Sequence, residues 1–281
     1  MSLRVQHYDD ARAFLEEAEP WLLRDEAQNS TLLGVANKCA GGFAYGDEPA
    51  WFATVCEEER LVAAAWHTPP FPVGVTKGTS AAMTAIFEHV QEQGLDVPKI
   101  HGPLESCRVL ESLFAQRTGA EPVVKTELML FRLDVVAIDP PLSGTMRKAG
   151  APDTDFVLDW SHRFQVDAGL TPASAEPPVR SVALDEGRLF LWMVDGAPVA
   201  MAASARETAH GVSVNSVFTP RELRGHGYAT SLVSSLSQAL LDGGKDFCCL
   251  YTDLANPTSN SIYRKIGYKE IGRFRMTELI R

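Results

Sequence analysis

Two stretches in opposite halves of the chain ask for the same fold. "WFATVCEEERLVAAAWHTPP", starting at Trp51, and "LFLWMVDGAPVAMAASARE", starting at Leu189, each read as a strand pair joined by a charged or Asp-Gly turn. "SAAMTAIFEHVQEQG" then falls where "YATSLVSSLSQALLDGG" falls, and "SLFAQRTG" where "IYRKIG" falls. Order and spacing agree while identity is slight. A duplicated α/β unit is the economical reading, against a chance likeness of generic α/β patterns. With 281 residues, 45% of them apolar, there is material for two cores. The expected fold class is therefore α/β (α+β), with helices flanking a mixed sheet in each of two domains.

"AIDPPLSG", residues 137 to 144, carries two prolines, a serine and a glycine, and is the expected linker between domains 1–137 and 145–281. Residues 9 to 33 show helical periodicity with a break expected near Pro20. "TELMLFRLDVV" reads as the last strand of the first half, and "PDTDFVLDWSHRFQVDAG" as a helix capped by Asp153 or Thr154. "LTPASAEPPVRSVALDEG" reads as a Pro-rich loop around a short helix, and Asp195-Gly196 as a hairpin turn. "KEIGRFRMTELIR" reads as a final strand or hairpin.

A formal net charge of −10 argues against a nucleic-acid or anionic-membrane partner, since both require a positive field. Five cysteines, Cys39, Cys56, Cys107, Cys248 and Cys249, include no CxxC pair, so free thiols in a reducing cytoplasm and no metal site are expected. No stretch approaches the ~20 apolar residues of a membrane span, and the start "MSLRVQHYDDARAF" has acidic residues where a signal peptide needs apolar ones.

The chemistry concentrates in "RGHGYA", residues 224 to 229, between the extended run "SVNSVFTP" and an apolar helix. Glycines there permit a sharp turn, which is the plain explanation. The position adds a second one. The first amides of a helix lack intrahelical partners, its dipole is positive at that end, and small residues let a phosphate come close. Arg224 adds a charge. The loop is neither G-x-x-x-x-G-K-[ST] nor G-x-G-x-x-G.

"VNSVFTPRELRGHGYATSLVSSL" resembles the acetyl-CoA-binding motif of the GNAT superfamily of acyltransferases, through Arg224, Gly227 and Ala229. "LYTDLANPTSNSIYRKIGYKEIG" is similar to that family's next strand, Asn-containing loop and helix. The resemblance implies two GNAT-like domains with centrally splayed sheets, the first a degenerate partner, and acetyl-CoA as co-substrate. It further implies that backbone groups of Val217, Phe218 and Thr219 pair with the pantetheine arm as an added strand would. Arg224 and the amides of Gly225, His226, Gly227, Tyr228, Ala229 and Thr230 would hold the pyrophosphate. Asn256, and less directly Asn260, would contact the cofactor, and Tyr263 would protonate the departing thiolate. Glu207, Asp253 and Asn215 with a water all stay open as the base. Trp160, His162 and Phe164 lie on a helix that in the family shapes the acceptor pocket, and His162 reads as an ordinary surface histidine.

The corresponding first-half stretch, "TPPFPVGVTKGTSAAM", has no arginine and no G-x-G/A, and phenylalanine stands in "SLFAQRTG" where the other half has its tyrosine. Covering the acceptor cleft, a homodimer contact and added stability are the three roles left to this half, the first slightly favoured. The expected activity is transfer of an acetyl group to an amine of a small molecule, amino acid or peptide. A coenzyme A-binding sensor or scaffold without turnover is the alternative. A tandem transferase using aminoacyl-tRNA is disfavoured by the acidic charge.

Overall fold

A computed structural model describes residues 3–139, 143–168, 183, 184 and 186–280. Most of the expected Pro-rich stretch 170–187 and part of the expected linker lie outside the described residues. Two compact units emerge: Met1–Leu130 with Thr252–Ala255 and Ile271–Arg281, and Phe131–Tyr251 with Asn256–Glu270. A cut at residues 137–144 would divide the chain into continuous pieces, whereas these units are discontinuous.

The first unit begins with β1 (Leu3–Tyr8), α1 (Ala11–Leu22) and α2 (Glu26–Ala40). The helix break lies at the 3-10 turn Leu23–Asp25, not at Pro20, which stays inside α1. Leu22, fully buried, anchors the turn that follows the proline. Next come β2 (Trp51–Glu57), β3 (Arg60–His67), β4 (Val73–Val75), α3 (Ser80–Glu92), β5 (Lys99–Pro103), α4 (Leu104–Thr118) and β6 (Glu121–Leu133). The chain's last strand, β12 (Lys269–Ile280), enters this sheet, which runs β1-β2-β3-β4-β5-β12-β6. β4 and β5 pair in parallel, whereas β12 pairs antiparallel to β5, Phe274 opposite Pro103 and Glu278 opposite Lys99. Side chains alternate across the sheet. Trp51, Ala53 and Val55 face a core with Met83, Phe87 and Phe114, while Phe52 faces a second core with Phe14, Leu22 and Leu32. Helices thus cover both faces.

The second unit holds β7 (Thr145–Lys148), α5 (Thr154–Asp167), β8 (Leu189–Val194), β9 (Ala197–Ala205), β10 (Gly211–Phe218), α6 (Tyr228–Asp242), β11 (Phe247–Asp253, its last two residues grouped with the first unit) and α7 (Pro257–Ile266). Strand order is β11-β10-β9-β8-β7, with β10 and β11 parallel. The β8–β9 hairpin turns at Asp195 and Gly196, whose φ values of 48° and 78° are those of a two-residue primed turn. Asp153 does not cap α5 directly. Its carboxylate accepts from the Gly150 amide at 2.8 Å and from Arg147 at 2.7 and 2.8 Å, pinning the turn before the helix. On α6, Leu232, Val233 and Leu236 are fully buried, worth roughly 1.5–3 kcal/mol each. That burial fixes the helix whose first turn forms the candidate site. All five cysteines are free, and Cys248 and Cys249 are both buried.

Candidate functional site

Strand β10 pairs with β11 only at Gly211–Phe247, Val212–Cys248 and Ser213–Cys249. Beyond Ser213 it keeps its other neighbour, β9, through Asn215–Ala203 and Phe218–Met201, with a register shift between them. Ser216 takes φ of 50°, unusual for a residue with a side chain, at this bulge. The two parallel strands therefore part company after three pairs, and the β11-facing edge of residues 214–218 is left without a ladder partner. Within this gap region the Asn215 Oδ1 and Thr219 Oγ1 atoms are buried and make no hydrogen bond among the described residues. Buried polar atoms left so cost free energy unless a ligand or water satisfies them.

From Phe218 the chain passes through Pro220 and the 3-10 turn Arg221–Leu223 into the glycine loop. Gly225 and Gly227 have φ of 83° and 84°, the left-handed region that a Cβ disfavours. Left-handed glycines in such a turn are the kind of backbone from which anion-binding nests are built. Among the described residues, no hydrogen bond is accepted from the amides of Gly225, His226, Gly227, Tyr228, Ala229 or Thr230; the first helical bond is Ser231 N to Gly227 O at 3.1 Å. Six consecutive donors stand at the positive end of a 15-residue helix.

The Arg224 side chain holds the loop's outer wall. Its Nε donates to Thr219 O at 3.0 Å and its guanidinium also pairs with Asp167, at the end of α5. Asp167 accepts from Arg221 as well, at 3.0 Å, and these two arginines hold its carboxyl below the usual carboxylate range, Arg221 foremost. The Thr219 carbonyl is thus already engaged within the chain. His226 is exposed, stacks on Tyr228 at 5.4 Å and lies 3.3 Å from Leu223 O through Nδ1. Sequence reading named the arginine of the loop but not Asp167, whose pairing spans 57 residues and leaves no local signal.

Asn256 caps α7, its Oδ1 accepting from Ser259 N at 3.1 Å, and Asn260, 4% exposed, donates through Nδ2 to Asn256 O at 2.8 Å. Tyr263 follows one turn on, 6% exposed, with its ring against Phe131 at 6.1 Å and Tyr268 at 5.9 Å. Burial pushes its hydroxyl pKa well above the ordinary value. Among the described residues its hydroxyl makes no hydrogen bond, whereas that of Tyr268 meets Ser237 Oγ at 2.8 Å. The neighbouring tyrosine is tied into the core and Tyr263 is not.

The base candidates separate. Glu207 precedes β10 and is ion-paired at 2.6 Å with Lys245, which precedes β11, so it belongs to the closed end of the strand pair. Asp253 accepts from Ala255 N at 2.8 Å. Asn215 alone of the three lies in the β10 bulge. Trp160 is core, 6.0 Å from the Phe218 ring, and His162 is exposed.

The first unit lacks this geometry. Thr79 Oγ1 caps α3 by accepting from Ala82 N at 3.2 Å, and a Cβ on Gly102 would come within 2.7 Å of Val75 O, so β4 and β5 stay close where β10 and β11 part.

Residues 191–277 match the family model described as FR47-like protein. No curated protein matches the chain. Among solved structures, a Drosophila protein has a TM-score of 0.65 at 12% identity, over 99% of this chain and 98% of its own. A GCN5-related N-acetyltransferase from Sphaerobacter thermophilus has a TM-score of 0.56 at 16% identity, over 99% and 96%. A tandem GNAT protein from the clavulanic acid biosynthesis pathway has a TM-score of 0.57 at 14% identity, over 98% of each chain. Over nearly its whole length the chain shares the fold of these GNAT proteins. Among the described residues no helix is long and apolar enough to cross a membrane, and no cluster of His, Cys, Asp and Glu could hold a metal ion.

Proposed function

We propose that the second unit is an acetyl-CoA-dependent N-acetyltransferase that acts on an amine of a small molecule, amino acid or peptide. The observation that carries this reading is the run of six unused amides from Gly225 to Thr230 beside a strand edge that has lost its partner. A pyrophosphate fits the first feature, and an extended pantetheine arm the second. Asn215 Oδ1 and Thr219 Oγ1, both buried without partners, supply further polar contacts along the gap. Acetyl-CoA brings the acyl group as an activated thioester. The residues do the rest. Val217 and Phe218 offer backbone groups to align the arm, while Arg224 keeps Thr219 in place from behind. Tyr263 retains its proton far above neutral pH and donates it from the hydroxyl oxygen to the leaving thiolate. Asn215 orients the water that takes the proton of the attacking amine. The free Tyr263 hydroxyl favours this over a coenzyme A sensor, which has no use for a buried proton donor.

Calorimetric titration with acetyl-CoA tests the assignment. Wild type binds one equivalent per chain. Gly227→Glu places a negative charge against the phosphates at a left-handed position, and affinity drops by at least about 100-fold while the protein still melts cooperatively, its Tm lowered by only a few degrees for the roughly 1–2 kcal/mol of backbone strain. Equal affinity in the two proteins refutes the site, and two equivalents per chain refute the inactive first unit. Thiol release against a panel of amines then identifies the acceptor.

A further inference from the structure

The first unit contains a cavity of about 420 Å³, large enough for a small organic ligand. Its walls are the β1–α1 junction, the end of α2 and the segment between α2 and β2. None of the residues expected to handle the cofactor contributes to it. Four carboxylates, on Asp9, Asp10, Asp47 and Glu48, line it with no lysine or arginine, while Phe43 and Tyr45 supply aromatic surface above the fully buried Phe52. Two of the carboxylates have work elsewhere. Asp10 caps α1 by accepting from Arg12 N at 2.8 Å, and Asp9 lies 3.2 Å from His7 Nε2. Among the described residues, Asp47 and Glu48 make no hydrogen bond or ion pair. Thr68 also lines the cavity, is 3% exposed, and its hydroxyl makes no hydrogen bond among the described residues.

The walls are fixed rather than fortuitous. Tyr45 stands edge-on to Phe43 at 5.0 Å and to Phe71 at 5.7 Å, a mutually braced aromatic set. The segment carrying them is drawn against the Pro69–Pro70 stretch: a Cβ on Gly46 would come within 2.5 Å of Pro69 O. The neighbouring cations are committed, Lys38 over the Phe43 ring at 5.3 Å and Arg12 to Ala40 O at 2.9 Å. The first of these contacts shows a ring that already accepts a cation on its face.

We propose that this cavity is a second binding site, for an organic ammonium with an apolar or aromatic body. The ammonium is held by Asp47 and Glu48 and by aromatic faces, the body lies against Phe43 and Tyr45, and the Thr68 hydroxyl accepts one of its N–H groups. Uncompensated carboxylates select the charge, and aromatic faces add a cation–π contribution. An anion such as a phosphate is repelled from the same cavity. The site belongs to the unit without the phosphate cradle, so it stands or falls separately from the transferase reading.

The test is calorimetric titration of the full chain with 2-phenylethylammonium, with neutral 2-phenylethanol as control, at low salt. Saturable binding of the ammonium is expected, with the alcohol about tenfold weaker or undetectable. The double substitution Asp47→Asn/Glu48→Gln, at exposed positions, weakens the ammonium by about tenfold and leaves acetyl-CoA binding unchanged. Tyr45→Ala weakens both ligands. Gly227→Glu leaves ammonium binding intact, which separates this site from the cofactor cradle. No saturable ammonium binding, equal affinity for the alcohol, or unchanged affinity in the carboxylate double variant would each overturn the proposal.

Discussion

Tyr263 and Tyr268 are five residues apart, both buried, and differ in one respect that substitution can read. The Tyr268 hydroxyl shares a buried hydrogen bond of 2.8 Å with Ser237. Removing it in Tyr268→Phe leaves Ser237 without that partner and costs about 1–1.5 kcal/mol, a drop of roughly 2–6 °C in Tm for a unit of this size. Turnover stays near wild type. Tyr263→Phe removes a hydroxyl that has no protein partner, so stability stays within about 0.5 kcal/mol of wild type or rises slightly. If that hydroxyl is the proton donor, kcat falls by roughly 10²–10⁴ while acetyl-CoA affinity changes little. Thermal melts and a thiol-release assay on the two variants give four numbers, and the expected pattern is crossed: one variant loses stability, the other activity. A Tyr263→Phe protein that melts as low as Tyr268→Phe yet turns over normally would show that Tyr263 serves the core, and the acid assignment would fall.

Three further outcomes follow from the same contacts. Burial raises the pKa of both tyrosines, so the unfolded chain ionises them first; stability is intact below about pH 10 and declines above it, by up to about 1.4 kcal/mol per pH unit for each, a slope that either Phe variant reduces in alkaline melts. Arg147, with the Gly150 amide assisting, lowers the Asp153 pKa, so this contribution is present above about pH 4 and vanishes as pH falls through the folded value; Asp153→Ala costs about 1–2 kcal/mol at pH 7, Arg147 being partly solvated, and the difference from wild type closes in acid denaturation. Asp167→Asn slackens the grip on Arg221 and Arg224 and raises the acetyl-CoA Kd by roughly three- to tenfold with kcat nearly unchanged; identical affinity would show that the loop needs no such brace.

What the sequence made legible was local. Asp195-Gly196 specifies a primed turn through two adjacent residues, and Gly225 and Gly227 advertise a left-handed double turn before an apolar helix. Alternation in β2 and β3 announces two buried faces within a few residues. Pro20 was misread because a proline forbids one helical hydrogen bond but not the helix, and burial of Leu22 outweighs that loss. The Asp167 brace and the Ser216 bulge were hidden for different reasons. The first depends on a partner far along the chain, and the second on a backbone angle that Ser does not advertise. The role of β12 was hidden too, because "KEIGRFRMTELIR" alternates as any edge or central strand might and does not name its neighbours.

That last strand also sets a timetable. The pairing of Phe274 with Pro103 and of Glu278 with Lys99 joins segments that the ribosome makes far apart in time. While residues 104–268 are being translated, β5 waits beside an unfilled lane of its own sheet. At about 5–20 residues per second, that wait is of the order of ten seconds or more. During it the first unit presents an open strand edge to any neighbour able to zip onto it. Fragments that stop short of residue 269 leave the lane permanently vacant, so a solubility failure in one of them reports on a missing strand and not on the chemistry of the half that was kept.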